Sequence, residues 1–118
     1  MESNPTAIDW PDFEARCLHD AEFIREMLEV FVKIAPQTLV TLQAAVAAGD
    51  WPTARRHAHT LKGSAANLSA HALRDHAADA EFAADNADEQ SVIAKLPLIS
   101  FALDASLANI AENRARFG

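Results

Sequence analysis

Residues 51–69 read WPTARRHAHTLKGSAANLS. Wound as a helix at about 100° per residue, Trp51, Ala54, Ala58, Leu61, Ala65 and Leu68 fall on one side, the pattern of a face turned to a core. His59 lies off that stripe, roughly 120° from its centre, and so points to solvent. Arg55, Lys62, Gly63 and Ala66 lie one or two turns from it on the same face. An exposed imidazole therefore has two cations beside it and a bare patch one turn on.

Each of these features has a chemical meaning. A histidine ordinarily titrates at about pH 6.5, so at neutral pH most of it is the free base, a competent nucleophile. The Lys62 and Arg55 cations can stabilise an anionic group on the ring nitrogen through charge-assisted hydrogen bonds. Gly63 is the unusual choice, because glycine inside a helix costs about 1 kcal/mol relative to alanine. One turn from His59, it leaves room for another protein to reach the ring.

The run His59-Thr60-Leu61-Lys62-Gly63-Ser64-Ala65-Ala66-Asn67-Leu68, preceded by Ala58, resembles the signature of histidine-containing phosphotransfer (HPt) domains. Phe31 with Pro36 upstream, and Leu73 and Glu81 downstream, are similar to the family's looser pattern, so the resemblance covers most of the chain. It departs at Ser69, where the family usually has glycine in the turn after the helix. The resemblance implies a helical phosphocarrier that accepts a phosphoryl group from a receiver-domain aspartate and passes it to another receiver. His59 would then be the phosphoacceptor, through Nε2, and Lys62 the cation that steadies the phosphoryl group. The expected partners are response-regulator receiver domains and a hybrid sensor kinase, with Mg²⁺ carried by the receiver and no metal or cofactor in this chain.

Docking is expected on the patch at Gly63 and Ala66 and on the facing turn of the preceding helix. Arg55 and Arg56 border that patch, Arg56 roughly 60° beyond His59 as a solvated or partner-facing charge. Whether Arg55 touches the phosphoryl group stays open. Gln37, just after Pro36, is placed to hydrogen-bond the imidazole.

The whole chain bounds the reading. Its 118 residues suit one domain with a real core. The absence of Tyr, only three Gly, and many Ala and Leu favour an all-helical protein. A formal charge of −7 argues against nucleic-acid binding. Cys17 is the only cysteine, which excludes an internal disulfide and permits a reducing compartment. The start, MESNPTAIDW, lacks the basic and apolar regions of a secretory signal. No apolar run approaches the roughly 20 residues that span a bilayer. The expectation is a cytoplasmic, monomeric protein with no membrane segment.

In order, residues 1–8 read as a flexible start and residues 9–117 as a single domain. Asp9 can cap a short helix over Pro11 to Cys17, and Asp20 the next, over Ala21 to Ala48, with a kink at Pro36. Gly49 ends that helix; Asp50 can cap the His59 helix, which should end near Asn67. Ser69 is a candidate cap for helix four, to about Asp85, and Asp88 for helix five, to about Arg116. Val92, Leu96, Ile99, Leu103, Leu107 and Ile110 are its core stripe, and Pro97 should bend or divide it. The expected fold is all-α: an antiparallel four-helix bundle with a short additional N-terminal helix.

Two other classes compete with phosphoryl relay. One is a non-catalytic adaptor of the same fold that binds a receiver or kinase without chemistry; the histidine in the motif speaks against it. The other is a metal-binding bundle. His57 and His59 project about 200° apart on a helix and cannot share an ion, and no E-x-x-H or H-E-x-x-H pair occurs. His57, His71 and His76 therefore read as structural or surface residues. No Gly-rich phosphate loop or kinase motif is present, so direct use of ATP is not expected.

Overall fold

The computed structural model describes residues 8–118. They form α1 (Trp10–Arg16), α2 (Ala21–Ala47), α3 (Trp51–Asn67), α4 (His71–Asp85), α5 (Glu89–Asn113) and a closing 3-10 turn (Arg114–Phe117). No strand occurs among the described residues. Four aspartates open helices as expected: Asp9, Asp20, Asp50 and Asp88 each accept the backbone N–H three residues on, from Asp12, Phe23, Thr53 and Ser91. Pro36 and Pro97 interrupt neither α2 nor α5, which each run through as one helix.

The helix ends share one device. Gly49, Ser69 and Ala87 follow α2, α3 and α4 with φ of 68°, 56° and 52°. After α3, Ala70 N–H reaches back to Ala65 O (2.9 Å) and Ser69 N–H to Ala66 O (3.1 Å), closing the last turn. This corrects the expected role of Ser69. It does not cap α4, whose N-cap is Ala70 with no side-chain bond. It occupies the left-handed position after α3 that suits glycine, and its side chain compensates. Ser69 Oγ donates to Asp12 Oδ2 (2.6 Å) and accepts from Arg16 Nη1 (3.0 Å), tying the turn to α1.

The four long helices close a ring: α2 packs on α3, α3 on α4, α4 on α5, and α5 returns to α2. The stripe anticipated for α3 is its buried face, with Ala54, Ala58, Leu61 and Ala65 at 0% exposure. Leu73, Ala77, Ala80 and Ala84 supply the facing side of α4. Small residues on both helices permit a close approach, which brings the outer edges of α3 and α4 within reach of each other.

α1 closes one end through fully buried Phe13 and through Trp10, whose ring stacks on Phe117 at 5.8 Å. Residues 1–7, most of the flexible start expected, lie outside the described residues. Ile8 does not belong to such a start: it is buried and donates its N–H to Asn109 Oδ1 (3.1 Å). The expectation that no segment has membrane-spanning character also needs correction. α2 and the stretch Glu89–Phe117 are each long and apolar enough by composition to cross a bilayer. In both, the apolar stripe, including Leu28, Phe31, Leu42, Ile99 and Leu103, is buried in the core.

Candidate functional site

α3 and α4 fold back on each other about the turn near residue 70. Positions 59 and 81, 55 and 85, and 62 and 78 are each centred on that residue, and the hairpin brings them level. The hairpin thus places Glu81 beside His59 and Asp85 beside Arg55.

The His59 side chain is 62% exposed, and Nδ1 lies 3.0 Å from Glu81 Oε2. An ionised carboxylate can only accept, so Nδ1 carries the proton and donates. Glu81 is held in that ionised form. Burial pushes its carboxyl upward, but hydrogen bonds from Lys62 and His59 outweigh this and leave its pKa below the ordinary 4.5. The neutral ring then has its lone pair on Nε2, which no hydrogen bond reaches among the described residues.

Lys62 and Arg55 lie on the same side of the ring. Lys62 Nζ is 2.7 Å from Glu81 Oε1, so one carboxylate holds both the imidazole and the ammonium. Arg55 Nη1 is 3.9 Å from Glu81 Oε2, and its Nε is 3.9 Å from Asp85 Oδ1. Both cations expected beside the ring are there, and each has a carboxylate partner that the reading of α3 did not include. Two carboxylates from α4 balance them, because the hairpin folds Glu81 and Asp85 over α3. Glu81 was noted in the sequence only as part of a looser pattern; its position opposite His59 about residue 70 was the signal that could have found it.

The other side of the ring is bare. A methyl group at Gly63 would meet nothing within 4 Å. Beyond Gly63, α2 and α3 enclose an apolar cavity of about 250 Å³ lined in part by Phe23, Met27, Val30 and Ile34 with Ser64 and Asn67. Ala66 is half-buried, and its carbonyl accepts from Arg16 Nη1 (2.8 Å). Arg56 is exposed and in no salt bridge among the described residues. Gln37 is exposed too, and no hydrogen bond joins its side chain to the imidazole, whose Nδ1 is taken by Glu81.

The remaining histidines sit apart from this site. His57 Nδ1 donates to Thr53 O (3.0 Å) on its own helix, and His76 Nδ1 is buried with no partner. His71 Nε2 meets Asp9 Oδ2 at 3.1 Å. Asp9, Asp12 and His71 bring three ligand-type atoms within 4.8 Å of one another, a grouping the sequence did not reveal. Ser69 and Arg16 are bonded into the same group, which reads as a network joining α1 to the α3–α4 turn.

The site is thus an exposed imidazole with Nδ1 engaged by Glu81, on one helix of a ring of four. The family model of the Hpt domain matches residues 26–113. The chain belongs to the Hpt family. Searches among curated proteins and among solved structures each gave no match. As an Hpt domain, the protein is a phosphotransfer module of two-component phosphorelays, a class that interacts with receiver domains of response regulators and kinases.

Proposed function

We propose that this Hpt domain accepts a phosphoryl group on His59 Nε2 from a receiver aspartate and passes it to a second receiver. The observation that carries this reading is the hydrogen bond of His59 Nδ1–H to Glu81, which leaves Nε2 as an outward-facing lone pair. In the transfer, that lone pair forms the N–P bond as the P–O bond to the receiver aspartate breaks, and the electron pair leaves with the restored carboxylate. The ring becomes a cation with its proton still on Nδ1, and the Glu81 carboxylate stabilises it. Return of the phosphoryl group to another aspartate reverses these changes.

Lys62 and Arg55 bring positive charge to the oxygens of the group in flight, where positioning and charge do most of the work. Lys62 exchanges part of its contact with Glu81 for the phosphoryl oxygens. The receiver supplies Mg²⁺ and the acidic pocket, so this chain needs no metal or cofactor of its own. Docking uses Gly63 and Ala66, with Arg55, Arg56 and Gln37 around the rim. We take the four long helices to be an antiparallel bundle, as the short connections between them favour, and the protein to act as a cytoplasmic monomer.

The test is incubation with a phosphorylated receiver. Label should appear on the protein in an acid-labile, base-stable linkage and be absent from His59→Gln. Equal labelling of that variant would remove His59 from the role.

A further inference from the structure

Asp85 is an odd residue for its place. It is the last residue of α4, where unpaired carbonyls make the helix end negative, and no basic residue lies in that last turn. A carboxylate there is mildly unfavourable for the helix. Its side chain is 69% exposed, and among the described residues its one ion pair is with Arg55 Nε at 3.9 Å. That separation is too long for a hydrogen bond, and an exposed pair of this kind adds little to stability. The fold therefore gives no reason for an acid at position 85.

Arg55 is held more loosely than Lys62. Lys62 Nζ lies 2.7 Å from Glu81 Oε1, a close charge-assisted contact. Arg55 stands 3.9 Å from Glu81 Oε2 and 3.9 Å from Asp85 Oδ1, hydrogen-bonded to neither. An open cleft of about 280 Å³ between α3 and α4, lined by Arg55, Lys62, Ala78, Glu81, Phe82 and Asp85, leaves the guanidinium room to turn. Glu81 Oε2 is also the atom that accepts from His59 Nδ1, so Arg55 is already beside the ring's partner.

The charges balance at rest: Lys62 and Arg55 face Glu81 and Asp85, and the ring is neutral. A phosphoryl group on Nε2 brings about two negative charges and makes the ring a cation, so the cluster turns net negative. Its oxygens and Asp85 then compete for one guanidinium, a planar fork that suits either.

We propose that Asp85 is a positioning residue that draws Arg55 away from the phosphoryl group and so keeps phosphorylated His59 ready to discharge. Asp85 thereby sets where the phosphoryl group rests between this domain and a receiver. This rests on the relay reading above and adds to it a bias toward giving the group up.

The experiment measures the equilibrium ratio of phosphorylated domain to phosphorylated receiver, using a receiver that loads the native protein, with phosphoramidate as a separate small donor. Docking alters forward and reverse rates alike, so a docking or purely structural role for Asp85 leaves that ratio unmoved. Asp85→Asn should raise it toward the domain by about three- to tenfold, as for one surface charge removed at this range, and the gain should shrink as salt is added. Asp85→Glu should stay near the native ratio. Arg55→Ala should lower the ratio, and Asp85→Asn made in that background should lose most of its effect.

A native ratio in Asp85→Asn, or an equal gain with and without Arg55, overturns the role of Asp85 while His59 still takes label. So does an Asp85→Glu ratio as high as that of Asp85→Asn. Failure of phosphoramidate and every receiver to label His59 overturns the relay reading itself, and this role with it.

Discussion

Among the described residues are two histidine–carboxylate pairs of nearly the same length, His59 with Glu81 at 3.0 Å and His71 with Asp9 at 3.1 Å. They differ in which ring nitrogen is engaged. Glu81 takes Nδ1 of His59, the atom nearer the backbone, and leaves the distal Nε2 outward. Asp9 takes Nε2 of His71, so the distal nitrogen is spent on holding two elements together. Their surroundings differ as well. Glu81 also binds Lys62, which keeps a cation by the ring, whereas Asp9 also caps α1. The distance between imidazole and carboxylate is thus uninformative about chemistry; the nitrogen left free, and what stands near it, distinguishes a nucleophile from a clasp.

The largest effect that separates the pairs is loss of the ring itself. His59→Gln should abolish phosphoryl uptake with little change in urea midpoint. His71→Gln should leave uptake intact and lower stability only slightly, as for an exposed pair. Loss of uptake in His71→Gln alone would reverse the assignment. Next comes the carboxylate. Glu81→Gln removes the charge that fixes the Nδ1–H form, and a hydrogen bond to a charged group contributes about 1.5–3 kcal/mol, so transfer should slow about 10- to 100-fold. Nitrogen NMR of the ring should show the proton spread over both nitrogens. Asp9→Asn, which keeps a good cap, should do neither.

How far the sequence revealed this site depends on the kind of contact. The periodicity of Trp51 to Leu68 identified the buried face of α3 and the outward course of His59, because both are properties of one helix. The aspartate caps were legible for the same reason, each acting within its own turn. Glu81, Asp85 and the Ser69 network were not, since they depend on how α3 folds onto α4 and α1. Ser69 misled for a related reason. Serine is a good N-cap in isolation, but the left-handed turn after α3 claimed its backbone, and Asp12 and Arg16 claimed its hydroxyl.

Gly63 sharpens the contrast between the bare and the charged sides of His59. Its absent side chain has no structural cause, since a methyl group would meet nothing within 4 Å. Gly63→Ala should therefore stabilise the fold by up to about 1 kcal/mol while slowing transfer severalfold. Gly63→Glu should block transfer and leave the helical signal unchanged. A stabilised Gly63→Ala variant with native transfer rates would show that a partner does not approach over this residue. At the clasp, Ser69→Ala should cost about 1 kcal/mol, because it keeps the positive φ and loses the hydroxyl bonds. Ser69→Gly should be nearly neutral, as relief of the backbone offsets the same loss.

The smallest effect concerns acid. Burial raises the Glu81 carboxyl, but bonds from Lys62 and His59 hold its pKa below the ordinary 4.5. The bond from His71, with the capped N–H of Asp12, holds Asp9 below 3.8. Each folded-state pKa is depressed, so the unfolded chain binds more protons in acid. The stability these groups contribute is full above their ordinary values and is lost as pH falls through the folded ones. Urea midpoints should be level down to about pH 5 and decline below it. Glu81→Gln should flatten the upper part of that decline and Asp9→Asn the lower part. A decline that Glu81→Gln leaves unchanged would mean that its carboxylate, though it orients the ring, contributes nothing to holding α3 against α4.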